Sequence, residues 1–285
     1  MSFYRNHALY SAFFEPSEEM RASIDTLVRT HLGPSRAKGT KRSPLRVLDP
    51  ACGPGLWLEH FAKRGALVAG VELDPAVAAA GQARLAGPKA TVMQGDMRDP
   101  PANITGPFDL AINLDNSLGH LGGVSDVVSH FQAMHRLLAP DGIYLIGLAV
   151  REKRSAIAVE TVYERGPIPI AGGGYGAIRS ETHGLQPATG PDRLRCERIR
   201  HYVMTAGVQG LAPLFIEQYD LLTFPIETLK RALALGGPWK VADCRDATDE
   251  SLPKASFEAN CGDVLLALRP AKTKVVKRSR GLLRR

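Results

Sequence analysis

The segment Val47-Leu48-Asp49-Pro50-Ala51-Cys52-Gly53-Pro54-Gly55 constrains this chain more than any other. A short apolar strand, Leu45 to Leu48, runs into a glycine-rich turn and then into a helical stretch, Leu56 to Lys63. Glycine tolerates backbone conformations closed to other residues, so such a turn brings main chain close to a ligand at the carboxyl edge of a sheet. Two glycines spaced GxG are weak evidence alone. A dinucleotide fingerprint asks for a third glycine, and that position holds Leu58. Asp49 is unfavourable beside a pyrophosphate and suits a cationic ligand.

The surrounding chain alternates strands with helices. Leu67 to Val71 reads as a second strand ended by Glu72, and Asp74-Pro75 supplies a cap and first-turn proline for a helix over Ala76 to Leu85. Thr91 to Met93 and Phe108 to Leu114 are further strands. Ser125 or Asp126 is the expected cap of a helix striped by Val127, Phe131, Met134 and Leu138. Pro140-Asp141-Gly142 then turns into the strand Ile143 to Ala149. This rhythm predicts an α/β fold with a doubly wound, mostly parallel sheet and helices on both faces. The expected organisation is an N-terminal lid segment, helix and linker (1–44), a ligand-binding core (45–150), an insertion or cap (151–224), the rest of the core (225–269) and a basic tail (270–285). The first part holds a helix from Ser17 to Leu32, capped by Ser17 and stopped by Gly33-Pro34. A flexible linker is expected from Arg36 to Arg46. The insertion carries two expected antiparallel strands, near Arg195 to Val203 and Phe215 to Thr223. A helix over Ile226 to Leu235 and strands at Lys240 to Cys244 and Val264 to Leu268 complete the core.

Glu72 falls 19 residues after Gly53, where a carboxylate accepts hydrogen bonds from ribose hydroxyls. Gly95-Asp96-Met97 follows the third strand; Asp96 suits an adenine amino group and Met97 the ring face, a turn or cap role for Asp96 being the plainer alternative. A sulfonium and an ammonium beside Asp49, with an adenosine beyond, describe S-adenosylmethionine. The motif V-L-D-x-A-C-G-x-G, the acidic end of strand two and the G-D-M-R segment resemble those of class I S-adenosylmethionine-dependent methyltransferases. That resemblance implies a Rossmann-like sheet of seven strands, the last antiparallel, with a cap-like insertion after strand five. It also implies that Asp49, Ala51, Gly53 and Gly55 line the methionine half of the cofactor, Glu72 the ribose, and Asp96 with Met97 the adenine. Pro54 departs from the pattern by removing an amide donor.

After strand four, Leu114-Asp115-Asn116-Ser117-Leu118-Gly119-His120-Leu121 is similar to a stretch of glycine and sarcosine N-methyltransferases. By that resemblance Leu114 contacts the cofactor and Asn116 faces the acceptor; Asp115 stands where the pattern has glycine. His120 is the candidate base, or a hydrogen-bonding group to cofactor or acceptor, or a histidine satisfying local backbone. Arg151 is a candidate partner for an acceptor carboxylate, against the plainer reading of a solvated strand-end arginine. Tyr10 resembles the aromatic lid of small-molecule methyltransferases, with simple packing as the competing account. Tyr175, beside Gly172-Gly173-Gly174, is a second lid candidate, or part of an ordinary mobile loop.

The chain has 285 residues and a formal charge of +7. Seven basic residues and no acidic ones lie between Pro270 and Arg285, so the tail accounts for the excess. It reads as a solvated terminus, with contact to nucleic acid as the less favoured alternative. No apolar run is long enough to span a bilayer, and four scattered cysteines suggest neither disulfides nor zinc, so a cytoplasmic protein is expected. The expected function is methylation of a small-molecule acceptor, nitrogen favoured over oxygen. The alternatives are an RNA or protein methyltransferase anchored by the tail, a non-catalytic S-adenosylmethionine-binding protein and, more remotely, a nicotinamide dehydrogenase.

Overall fold

The computed structural model describes residues 3–40, 43–85, 87–151, 161–184, 192, 194–209, 212–258 and 261–271. The basic run from Lys272 to Arg285 lies outside the described residues. Among those described, the helices are α1 (His7–Phe14), α2 (Glu18–Leu32), α3 (Pro34–Lys38), α4 (Leu56–Ala62), α5 (Pro75–Arg84), α6 (Val124–Leu137) and α7 (Ile226–Leu235). A first sheet contains β1 (Arg46–Asp49), β2 (Leu67–Glu72), β3 (Ala90–Gln94), β4 (Phe108–Asn113), β5 (Leu138–Val150), β10 (Trp239–Asp246) and β11 (Gly262–Pro270). A second contains β6 (Thr161–Pro169), β7 (Tyr175–Gly184), β8 (Arg195–Ala206) and β9 (Leu214–Thr223).

The first sheet has seven strands in the order β10-β11-β5-β4-β1-β2-β3. The five strands from β5 to β3 run parallel, whereas β11 is antiparallel to both β5 and β10. Side chains of alternating strand residues build two separate cores. Val47, Leu110, Ile112, Ile143 and Leu145 face α2 and α4 through Ile24, Leu27, Val28, Trp57, Leu58 and Phe61. Leu48, Ala111, Tyr144, Ile146 and Leu148 face α6 and α7 through Val127, Phe131, Met134, Ile226 and Leu229. The order reverses between β1 and β4. The loops leaving these two strands therefore diverge and open a crevice at the carboxyl edge.

The second sheet is fully antiparallel, in the order β6-β7-β8-β9. Two of its strands, β8 and β9, correspond to those expected in the insertion; β6 and β7 are additions. Its inner face packs on α1 through Leu9, Phe13, Ile178 and Val203. Its chain leaves and rejoins the core at one point: the Arg151 N–H donates to the Phe224 carbonyl at 3.1 Å, and the Phe224 N–H to that of Ala149 at 3.3 Å.

Two local expectations need correction. The stretch from Arg36 is no free linker, because Arg36 lies in α3 and donates to Asp109 Oδ1 through both Nε (3.0 Å) and Nη2 (2.6 Å), while pairing also with Asp141. The other oxygen of Asp109 accepts from the Arg46 N–H at 2.9 Å, so the salt bridge anchors the start of β1. Arg36→Ala is expected to cost about 1 kcal/mol, read as a lowered midpoint in urea. The second correction concerns α6, which starts at Val124 with Gly123 as its cap residue. The Val124 N–H is satisfied by Asp192 Oδ2 at 2.8 Å, and Asp126 turns to the Gly122 N–H instead. A long-range cap has displaced the local one.

Candidate functional site

A cavity of about 860 Å³ occupies the crevice between the loops after β1 and β4. The β1 loop supplies its floor. Gly53 takes a φ of +53° and Gly55 one of +81°, turning the chain sharply into α4. A side chain at Gly53 meets no neighbour, so that face of the turn is open. Leu58, which stands in place of a third glycine, is fully buried, and a Cβ at Gly70 of β2 would lie 2.8 Å from its Cδ1. The close helix–strand approach is thus made by a glycine on the strand, leaving a leucine on the helix.

Asp49 ends β1, buried, its Oδ1 accepting the Ala51 N–H at 3.1 Å. Burial pushes its carboxyl well above the usual carboxylate range, and the neighbouring charges of Asp115 and Glu72 push it further. Glu72 ends β2 and is held at both oxygens, Oε2 by the Gly53 N–H at 3.0 Å and Oε1 by the Asp74 N–H at 2.9 Å. Burial raises its carboxyl too, partly opposed by these amides. Asp74 caps α5 and pairs with Arg5 at 2.9 Å.

The third wall is Gly95 to Arg98. The Arg98 guanidinium grips the Asp96 carboxylate and reaches Asp126 at 2.8 Å, so this arginine is already neutralised. Met97 is set from behind. His130 of α6 lies 3.0 Å from the Met97 carbonyl through Nδ1 and 2.8 Å from the Tyr144 hydroxyl through Nε2. Burial lowers His130 to about 4 and keeps it neutral, so Nδ1–H donates to the carbonyl while Nε2 accepts from the hydroxyl.

Opposite lies the β4 loop, with Leu114, Asp115, Ser117, His120 and Leu121 on the cavity. Gly147 of β5 lets this loop sit close, because a Cβ there would lie 2.2 Å from the Leu114 carbonyl oxygen. Burial lowers the pKa of His120, whose ring lies 5.4 Å from that of Tyr219 on β9. Tyr219 is positioned in turn by His201 of β8 (3.0 Å), itself held by Ser180 of β7 (2.7 Å). Tyr4, Tyr10 and Phe14 close the cavity as a run of adjacent rings, with centroids 5.3 Å and 5.0 Å apart.

Tyr10, Asp49, Ala51, Gly53, Glu72, Asp96, Met97, Leu114 and His120 therefore surround one space. Gly55 shapes the turn without lining it. Three expected acceptor residues stand apart from it. Asn116 turns inward in a left-handed conformation, its Oδ1 accepting the Ala149 N–H at 3.2 Å. Arg151 is clamped between Glu197 (3.0 Å) and Asp263 (2.7 Å), which neutralise it as a partner for an acceptor carboxylate. Tyr175 is 57% exposed at the start of β7, away from the cavity lining. The sequence reading missed Tyr4, Phe14 and Tyr219. An aromatic residue among polar ones in the β9 pattern was the available signal for Tyr219.

The charge balance of the cavity is informative. Arg98 is its sole lining lysine or arginine among the described residues, and that side chain is spent on Asp96 and Asp126. Among the described residues no cationic side chain lies beside Asp49. A buried carboxylate without a cation is costly, and a positively charged ligand would relieve that cost.

Residues 47–142 match the family described as a methyltransferase domain. Over 100 residues the chain is 33% identical to the dTDP-3-amino-3,4,6-trideoxy-alpha-D-glucopyranose N,N-dimethyltransferase of Streptomyces venezuelae, covering 35% of this chain and 40% of that protein. Over 125 residues it is 31% identical to the dTDP-3-amino-3,6-dideoxy-alpha-D-glucopyranose N,N-dimethyltransferase of Streptomyces fradiae, covering 44% of each. The chain thus spans less than half the length of these curated relatives. Among solved structures it is similar to Streptomyces venezuelae DesVI, with a TM-score of 0.65 at 19% identity over 92% of this chain and 95% of that one. It is also similar to the sugar N-methyltransferase KedS8 of Streptoalloteichus, with a TM-score of 0.64 at 21% identity over 92% and 91%. At such identities the likeness is one of fold. The chain has the Rossmann-like fold of class I methyltransferases, and its residues 47–142 match a methyltransferase domain.

Proposed function

We propose that this protein transfers a methyl group from S-adenosylmethionine to a nitrogen of a small molecule, an amino sugar being the acceptor class its relatives suggest. The observation that carries the reading is Asp49, a buried carboxylate with no cationic side chain beside it among the described residues, at the carboxyl end of β1 in a cavity that also presents Glu72. S-adenosylmethionine, when bound, supplies an electrophilic methyl group on a sulfonium centre. Asp49, Ala51 and Gly53 would hold the methionine half, and Glu72, oriented by two amides, the ribose hydroxyls. Met97 would take the adenine face, with Asp96 offering the oxygen edge that Arg98 orients. Tyr10 and Phe14 exclude water, and excluding water strengthens every electrostatic contact inside.

On the acceptor side the protein mainly positions and desolvates a nucleophile. His120, kept neutral by burial, is able to accept a hydrogen bond or a proton from it. The second sheet contributes Tyr219 against His120 and so shapes the acceptor half.

Incubation with methyl-labelled S-adenosylmethionine and a metabolite extract, followed by mass identification of the product, tests the assignment. Labelled amine and stoichiometric S-adenosylhomocysteine are expected. Glu72→Ala is expected to raise the Kd for S-adenosylmethionine on the order of tenfold, for two lost hydrogen bonds to a charged group. Failure of the wild-type protein to bind S-adenosylmethionine in calorimetry would refute the proposal.

A further inference from the structure

Asp115 has no role in the site as described so far. It follows Leu114 just past the end of β4 and lines the cavity, to which it is exposed. Every other lining carboxylate has a partner: Asp74 pairs with Arg5, Asp96 and Asp126 share Arg98, Glu72 accepts two backbone amides and Asp49 one. Among the described residues no donor reaches the Asp115 carboxylate. Tyr10 of α1 and Asp49 of β1 line the same cavity, and Tyr219 of β9 packs against its His120. His120 lines the same side of the cavity.

We propose that Asp115 recognises the acceptor as a protonated amine, pairing with its ammonium group in the cavity and taking the proton that must leave before nitrogen attacks. This rests on the methyltransferase reading and names its substrate class. The methyl donor carries two cationic groups and one carboxylate, a net single positive charge that Asp49 balances, and Asp115 is a second cavity carboxylate with no cation beside it among the described residues. A second cation completes the balance, and the only molecule left to bring it is the acceptor. The tyrosine and histidine rings around Asp115 suit an alkylammonium, because aromatic faces attract cations. A carboxylate flanked by aromatic rings discriminates strongly against an alcohol, which offers no charge to pair with it.

The step balances. A proton passes from the ammonium nitrogen to the Asp115 carboxylate, and the freed lone pair forms the nitrogen–methyl bond. The methyl–sulfur bond of the donor breaks with its electron pair left on sulfur, so the sulfonium charge ends on the N-methylated product. That product is again an ammonium, and the carboxylic acid returns its proton to solvent when the site opens. Burial, which raises Asp115 above the usual carboxylate range, makes it a better proton acceptor than an exposed aspartate.

The test uses the full-length protein saturated with S-adenosylhomocysteine, titrated calorimetrically at neutral pH with matched probes. An amino sugar, an arylalkyl amine and an amino-acid ester are each paired with the corresponding hydroxyl compound. The wild-type protein is expected to bind at least one amine more tightly than its hydroxyl partner, on the order of a hundredfold. Asp115→Asn keeps the shape and is expected to bring that pair within about threefold, with S-adenosylmethionine affinity changed by less than about threefold. The proposal is overturned by a wild type that binds no amine or binds hydroxyl partners equally well, or by an Asn variant that keeps the preference. A wild type that fails to bind S-adenosylmethionine refutes the methyltransferase reading itself, a separate outcome read in a separate titration.

Discussion

Asp49→Asn is expected to stabilise the ligand-free protein while weakening S-adenosylmethionine binding on the order of a hundredfold. The two effects share one cause. The variant keeps the oxygen that accepts the Ala51 N–H and removes a charge that burial, Asp115 and Glu72 all disfavour. Without ligand that charge is a liability, and with a cationic ligand it is the binding determinant. The pH dependence follows from the direction of the shift. An unfolded aspartate ionises near pH 4, roughly, whereas the folded Asp49 holds its proton to higher pH. Between those two values the folded protein binds more protons, so this contribution to stability is present below the unfolded pKa and is lost as pH rises through the folded one. Ligand binding runs the other way and strengthens as Asp49 ionises. Thermal melts with and without S-adenosylmethionine across the weakly acidic range check both slopes. Parallel slopes, or unchanged affinity in the variant, would remove Asp49 from the cofactor site. Titration with S-adenosylhomocysteine separates the two cationic groups: an equal loss for both ligands assigns Asp49 to the ammonium, a loss confined to the methyl donor to the sulfonium.

Gly147→Ala is expected to lower kcat/KM for the acceptor on the order of a hundredfold, although Gly147 lines no cavity. Its added Cβ would sit 2.2 Å from the Leu114 carbonyl oxygen, well inside contact distance and against backbone. The strand cannot yield easily, since Ile146 and Leu148 on either side are buried and paired with β11. The β4 loop must move instead, and it carries Leu114, Asp115 and His120. A displacement of about 1 Å at a reacting group is enough for a loss of this size, and overpacking adds about 1–3 kcal/mol of destabilisation. Affinity for S-adenosylmethionine should fall much less, because the β1 and β2 loops stay in place. Steady-state kinetics with saturating donor, alongside a urea melt, separate the two effects. Wild-type kcat/KM in the variant would mean that the loop tolerates the shift.

The core of the fold was legible in the sequence because its signals are local. The apolar runs at Val47-Leu48 and Ile143 to Ala149 and the Asp74-Pro75 start of α5 each state their structure within a few residues. One side of the cavity lining was legible for the same reason, since Asp49, Glu72 and Met97 each sit at or just past a strand end. The side bordered by the second sheet was not. The strands β6 and β7 bury little on either face and carry charges, so alternation did not mark them. His201 and Tyr219 reach the site only because β8 and β9 pair across the second sheet. Arg151 and Asn116 were plausible from their positions and are taken up by partners far away in sequence, Glu197 and Asp263 for one and the Ala149 amide for the other.

The second sheet departs from Val150 and returns at Phe224, and these two residues form a bridge of their own. A segment whose ends lie one peptide hydrogen bond apart tolerates being lengthened, shortened or replaced without rethreading the strands beneath it. Under the proposed function, acceptor choice is then more open to change than the β1 and β2 loops that would hold the donor. If the proposal holds, a lineage built on this plan can alter its acceptor by rewriting one segment while the loops beneath it are inherited unchanged.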